Sequence, residues 1–361
     1  MHRILVLNIG GTSTKMAVYN DDTQIWERTL RHSKEEMAPY PDTKSQFEYR
    51  KNMMVGVLAE GGFGLDDFDV LAIRGLELKH TFKHGTYLVT EAMRAEVDDV
   101  YQPDQPMIHA GRLIVHFADA LFPQKNIPVY MTNPATINEM IPEARLAGHP
   151  AFERIPTFHA LNTCEQAIRL AEKMGKTYAD CNFVMVHMGG GVSVSAHQHG
   201  RVTDANHCAW GEGPFSLDRA GTLPTDQLLR FCYSGKYSRE EATFELRAGS
   251  GVKAYLGTMD LREVEKMIDA GDAKADLVLR ALAYQIAKEI GAYCAAIEGK
   301  VDAIVLTAGM SNSKKLTGLI RARVEKFAPV EICADELEIE ALIAGTMRVL
   351  RGEEEAIVYG A

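Results

Sequence analysis

The 361 residues are 46% hydrophobic and 24% charged, the balance of a globular chain long enough for two domains. The formal net charge is −10 with no basic block, which argues against nucleic acid or an anionic membrane as a partner and requires any site for an anionic substrate to be locally positive. Six cysteines, none before Cys164 and without metal-ligand spacing, are expected as free thiols.

In chain order, the pattern from Ile4 to Tyr19 predicts a β-hairpin turning at Gly10 and Gly11, and 24–30 a third antiparallel strand. Asn8, at the end of the first strand, offers an amide to a phosphate or a metal-bound water; Ser13, Thr14 and Lys15 offer hydroxyls and a cation. Apolar residues at helical spacing predict a packing helix to about Glu60, ended by Gly61-Gly62. The next strand, from Phe68 to Ile73, terminates at Arg74-Gly75, and the C-terminal end of a parallel strand is where α/β proteins bind ligands. A helix runs to about Leu121, and 127–132 is a strand ending in Asn133-Pro134. A helix follows 157–162 and runs to about Met174.

The most informative stretch is 182–221, NFVMVHMGGGVSVSAHQHGRVTDANHCAWGEGPFSLDRAG. It reads as strand, glycine turn, strand. Gly189, Gly190 and Gly191 remove every Cβ from that turn, so backbone N–H groups are able to approach a phosphate closely. His187 stands at the mouth of this cradle, and Arg219 follows in a second loop rich in Gly and Pro; both are candidates to contact a transferring phosphoryl group. The layout occurs twice, since ILVLNIGGTSTKMAV from Ile4 matches FVMVHMGGGVSVSA from Phe183. Two such loops, each opening its own α/β half, are expected to hold a polyphosphate between them.

Beyond it, 224–234, 238–247 and 260–271 read as helices, and the long apolar run 276–298 as a core helix. A buried strand at 301–307 leads into Ala308-Gly309-Met310-Ser311, a strand lies at 330–333, and the last helix spans 338–350. Acidic residues before that helix, Asp335 and Glu336, ordinarily just complement the helix dipole.

The doubled loop resembles the sugar-kinase, heat-shock-ATPase and actin superfamily, and the run 211–221, GEGPFSLDRAG, resembles the butyrate kinases of the acetate kinase family. The resemblance covers nearly the whole chain. It implies that Arg74 contacts the acyl substrate or the phosphoryl group, although Ile73 and Leu76 stand where the family carries glycines. It implies active-site neighbourhoods for His109 and for His159 within FHALN, with Asn162 where acetate kinases carry a second His. At Asn133 the family normally carries an Asp that orients an Arg or acts near the attacking carboxylate, so a charge is missing. Thr307, Gly309, Met310 and Ser311 match the strand end that receives adenosine, and Glu336 matches a magnesium-associated Glu.

The expected fold is therefore α/β, with two ribonuclease-H-like (actin-like ATPase) domains around a nucleotide cleft: 1–155 plus about 339–361 on the acyl-substrate side, and 156–338 on the nucleotide side. The implied reaction is reversible phosphoryl transfer between ATP and a short-chain carboxylate, giving an acyl phosphate and ADP, with Mg²⁺ on the nucleotide. The alternatives are a nucleotide-binding regulatory or scaffold paralogue that lost the chemistry, or a kinase of this fold for a branched or larger acid. A homodimer or higher homo-oligomer is expected. No apolar run reaches membrane-span length, and the residues before Asn8 are not laid out as a secretory signal, so a cytoplasmic protein is expected.

Overall fold

The computed structural model describes residues 1–361 except 12, 77, 80, 99–102, 105–109, 124–126 and 361. The first half contains β1 (Arg3–Ile9), β2 (Ser13–Asn20), β3 (Thr23–Arg31), α1 (Lys34–Met37), α2 (Thr43–Glu60), β4 (Val70–Arg74), β5 (Thr86–Leu88), α3 (Glu91–Asp98), α4 (Ile114–Leu121) and β6 (Val129–Thr132). There follow α5 (Pro142–Arg145), α6 (Ala160–Lys173), β7 (Asn182–Met188), β8 (Val192–Gln198), β9 (Arg201–Ala205), α7 (Thr225–Cys232), α8 (Arg239–Ala248) and α9 (Gly251–Leu256). The chain ends with α10 (Leu261–Asp269), α11 (Ala273–Ala296), β10 (Ala303–Thr307), α12 (Lys314–Val324), β11 (Val330–Cys333), α13 (Glu338–Leu350) and β12 (Ile357–Val358).

Two compact units result, unit 1 from residues 1–137 with 337–361 and unit 2 from 138–336. Segment 138–155, expected with the first half, packs in unit 2 because its polar groups find partners there. Ile141 N–H donates to Thr203 O, Val202 N–H donates to Glu139 Oε2, and Arg154 pairs with Asp204 at 3.0 Å and Glu212 at 3.4 Å.

The sheet of unit 1 has the order β12-β5-β6-β4-β1-β2-β3 and that of unit 2 the order β11-β10-β7-β8-β9. In each, an antiparallel three-stranded meander (β1-β2-β3, β7-β8-β9) adds parallel strands beside its first member (β4 and β6, β10 and β11). This is the ribonuclease-H-like order, and it occurs twice. The repeat seen in the sequence is thus a structural repeat, with each glycine turn joining the first two strands of its meander.

The central strands are apolar on both faces because helices cover them. In unit 2 the interior face of α11, with Leu282, Ile286 and Ile290, packs with Val184, Val186 and Val194 of β7 and β8. Its start lies at Ala273, earlier than the apolar pattern indicates, because the Asp272 side chain caps Lys274 and Ala275 N–H. In unit 1, α13 lies against β6, β4 and β1. Gly345 permits this approach: a Cβ there would stand 2.6 Å from Thr132 Oγ1 and 2.7 Å from Thr86 Oγ1. The close seat of α13 brings its first residue, Glu338, to the ends of β1 and β4. All six cysteines are free thiols. Among the described residues no helix is long and apolar enough to cross a membrane.

Candidate active site

In unit 2 the strand register gathers the polar groups at the end of β7. His187 pairs with Ser193 on β8 and Thr307 on β10, so their side chains neighbour one another at the strand ends. His187 Nδ1 lies 3.0 Å from Asn162 Oδ1, and Thr307 Oγ1 donates to the same oxygen at 2.7 Å. The ring of His159, at the N-terminus of α6, stacks on His187 with centroids 3.8 Å apart, and its Nδ1 is 2.7 Å from Ser193 Oγ.

The turn Gly189-Gly190-Gly191 is closed by Gly189 N–H donating to Gly191 O. Ser216 Oγ donates to Gly190 O at 2.7 Å and accepts from Arg219 N–H at 3.2 Å, which ties the second loop to the first. The Arg219 guanidinium consequently lies over Gly191, where a Cβ would stand 3.0 Å from Cζ and 3.4 Å from His159 Cε1. Its Nη1 donates to Cys208 O at 3.1 Å and lies 3.6 Å from Cys208 Sγ. A cation held over a Cβ-free turn, beside a histidine, is an anion-receiving arrangement.

Beside this turn is a cavity of about 440 Å³ whose lining includes Gly189, Gly190, Gly309, Met310, Asn312 and Glu336, together with Asp260, Arg262 and Glu265. That volume is in the range of small-molecule sites. Gly309 and Met310 thus line it as expected, whereas Thr307 and Ser311 do not; Ser311 Oγ donates to Thr307 O and both residues are buried behind the wall. Among the described residues no three His, Cys, Asp or Glu side chains form a metal-binding group. A magnesium ion carried on a nucleotide needs no such cage, since it binds through one or two carboxylates plus phosphates and water. Glu336 fits that requirement, being exposed on the cavity wall with Oε1 3.7 Å from the position of a Cβ on Gly309. Asp260 is instead engaged by Arg262, and Glu265 by Ser313.

Unit 1 has its own polar cluster. Asn8 and Lys15 are cross-strand partners, and Arg74 closes β4 next to β1. All three converge on Glu338: Asn8 Nδ2 donates to Oε2 at 2.8 Å, Lys15 Nζ lies 3.6 Å from Oε2, and Arg74 Nη1 lies 3.3 Å from Oε1. Burial works against ionisation of Glu338, but Arg74 and Lys15, with the Asn8 hydrogen bond, outweigh it and hold the carboxyl below its usual range. Below the turn, Gly10 N–H donates to Ser13 O at 2.7 Å. The guanidinium of Arg50, 2% exposed, donates to Gly11 O at 2.8 Å and Gly10 O at 3.4 Å. With both carbonyls drawn inward, the turn is fixed from beneath.

Asn133 does not serve as a partner of Arg74. Its Oδ1 accepts from Gly85 N–H at 2.7 Å, its own N–H donates to Gly85 O, and its φ of 43° is in the left-handed region that Asn tolerates. His109 lies outside the described residues.

A profile of the Acetokinase family matches residues 157–353, more than half of the chain. The chain belongs to the acetokinase family. The fold is similar to that of Porphyromonas gingivalis acetate kinase (TM-score 0.78, 19% identity, covering 97% of this chain and 100% of that one). It is likewise similar to a propionate kinase from Francisella tularensis (0.75, 18%, covering 95% and 99%) and to acetate kinase from Entamoeba histolytica (0.77, 14%, covering 96% and 98%). As an acetokinase it is a carboxylate kinase that uses ATP and ADP.

In this acetokinase, sequence reasoning passed over Glu338, Arg50 and the cavity residues Asp260, Arg262 and Glu265. Glu338 sits in a helical first turn, where an acid reads as dipole compensation. Arg50 sits on a helix, where a charged residue reads as solvent-facing. The one available signal for Glu338 was its position two residues after Glu336, which the resemblance had already singled out.

Proposed function

We propose that this carboxylate kinase acts reversibly on a short-chain acid of the butyrate class, with ATP as phosphoryl donor and Mg²⁺ on the nucleotide phosphates. The observation that carries the reading is the Arg219 guanidinium over Gly191, beside His159, whose ring stacks on His187, and one residue from the cavity wall at Gly190. The butyrate class is supported by the run 211–221 and by Asn162 in place of the second His of acetate kinases.

A carboxylate is already ionised at pH 7, so no strong base is required. One of its oxygens bonds to the γ-phosphorus while the bond to the bridging oxygen breaks, and ADP leaves with that electron pair; no proton moves. The difficulty is that anion approaches anion, with charge spreading over the equatorial oxygens. Arg219 and His187 answer it in unit 2, the nucleotide side, by hydrogen-bonding those oxygens as charge accumulates. The Cβ-free turn at 189–191 lets N–H groups reach phosphate oxygens. Arg74, Lys15 and Asn8 supply the positive and polar groups of unit 1, the acyl-substrate side, with Ser13 and the Gly10-Gly11 turn beside them. Glu336 would hold Mg²⁺ through water, and that ion, when bound, neutralises nucleotide phosphate charge.

The test is a panel of acids of two to six carbons, with the acyl phosphate trapped as hydroxamate. The expected result is acid-dependent ATP turnover that is greatest with four carbons. A maximum at acetate or propionate replaces the butyrate assignment, and nucleotide binding without acid-dependent turnover replaces the enzyme with a nucleotide-binding scaffold.

A further inference from the structure

Asn162, on α6 and 3% exposed, has its amide orientation set by its own partners. Nδ2 donates to Glu336 O at 2.7 Å and Asp335 O at 3.1 Å, two carbonyls that only accept. The atom turned towards β7 and β10 is therefore Oδ1, which also only accepts. It takes the Thr307 hydroxyl hydrogen at 2.7 Å and stands 3.0 Å from His187 Nδ1. Reversing the amide would oppose oxygen to two carbonyls and lose both donations, so the hydrogen between Asn162 and His187 belongs to Nδ1. The other ring nitrogen, Nε2, lies 3.1 Å from the position a Cβ on Gly189 would take, facing the glycine turn.

We propose that Asn162 is a positioning residue that fixes His187 as its Nδ1–H tautomer, so that Nε2 carries a hydrogen only when the ring is an imidazolium. Which nitrogen is protonated follows from the hydrogen bond made by the other. Neutral imidazole in water favours the opposite form, so the bond from Asn162 selects against the default. Groups at the ring include His159 stacked on it from α6, Asn162, Thr307 on β10 and Ser193 on β8, with the Arg219 cation over Gly191 on the His159 side. The kinetic consequence rests on the phosphoryl-transfer reading: His187 donates to a phosphoryl oxygen only in its protonated form, and turnover falls as alkaline pH removes that proton.

The tautomer is read without any assay of activity. In protein selectively labelled with ¹⁵N-histidine, long-range ¹H–¹⁵N spectra at alkaline pH should show His187, assigned by loss of its signals in His187→Gln, with Nδ1 protonated and Nε2 bare. An Nε2–H pattern in the wild type overturns the proposal, and no variant has to fold for that result except the assignment control. Asn162→Leu should release the ring to the Nε2–H form; an unchanged pattern overturns the role of Asn162. In Asn162→Asp the carboxylate favours the imidazolium, so the alkaline limb of kcat should move up by about one pH unit or more, with KM for ATP changed less than about twofold. Uniform loss at every pH marks a merely structural residue and overturns the positioning role. Absence of acid-dependent turnover removes the kinase reading while leaving the tautomer result standing.

Discussion

Gly191→Ala separates the chemistry from the fold. The added Cβ would stand 3.0 Å from Arg219 Cζ and closer still to Nη1, whereas carbon atoms settle at about 3.5–4.0 Å. The guanidinium must therefore retreat by roughly 0.5–1 Å. Because the obstructing atoms end a flexible side chain and Gly191 is not in the left-handed region, the backbone has no reason to move. A displacement of that size at a charge-stabilising group costs on the order of 10- to 100-fold in rate, about 1.4–2.7 kcal/mol in the barrier. The assay is kcat for acyl hydroxamate formation beside a thermal melt. Gly190→Val is the companion: a Cβ at 190 meets nothing within 4 Å, so the variant should fold, yet its bulk occupies the cavity wall and should abolish ADP binding by calorimetry. A folded Gly191→Ala enzyme with kcat within twofold of wild type would refute the role given to Arg219, because its guanidinium cannot keep its place.

Arg219→Ala should lower kcat by on the order of 10²- to 10⁴-fold with a smaller change in KM for ATP; a rise in KM alone makes it a binding residue. Glu338→Gln should lower stability at pH 7 by about 1–2 kcal/mol, below the cost of breaking a fully buried pair because the Arg74 side chain is 43% exposed. A carboxyl held below its usual range contributes stability above its unfolded pKa that is lost as pH falls through the folded one, so urea titrations of this variant should show a shallower acid-side decline. Burial, then the Arg50 charge, lowers the His32 pKa from 6.5 to about 4, so the unfolded chain binds the extra proton between those values. Stability should fall as pH drops through that window, by roughly 1.4 kcal/mol per unit at most, and His32→Gln should flatten the slope in urea melts. Asn133→Asp keeps the acceptor for Gly85 N–H and should change kcat/KM for butyrate by less than about tenfold, the check being both proteins at one pH.

What was legible in the sequence was the part encoded locally. Alternation of apolar residues around Gly10-Gly11 and Gly189-Gly191 specifies strand, turn, strand without reference to the rest of the chain, and the match between Ile4 and Phe183 specifies the doubling. His187 and Arg219 became candidates because the glycines point to them. The residues passed over owe their place to contacts distant in sequence: Glu338 meets Asn8 across 330 residues, and Arg50 meets Gly10 across 40. Periodicity carries no information about such pairs. The role of Asn162 was hidden for a related reason, because what matters is the orientation of its amide, set by carbonyls at 335 and 336.

The neutral residue at 133 illustrates how a local departure changes meaning once charges are located. In sequence, Asn133 removes a carboxylate from a position whose expected work is to orient an arginine. In the folded chain Arg74 has a carboxylate, that of Glu338 at 3.3 Å, and the carboxyl of Glu338 is kept ionised by Arg74 and Lys15 in return. Asn133 meanwhile uses its amide oxygen and backbone to hold Gly85, in a left-handed conformation that suits Asn and exposes no charge to the buried strand end. A carboxylate there would keep the Gly85 N–H as a donor but would place its charge at a site 97% excluded from water, where unpaired charge is costly. Arg74 therefore has its counter-charge at the start of α13 without any carboxylate at 133, and with Asn8 and Lys15 converging on the same Glu338 anion, the neutral residue at 133 is no ground for reading the chain as a nucleotide-binding remnant.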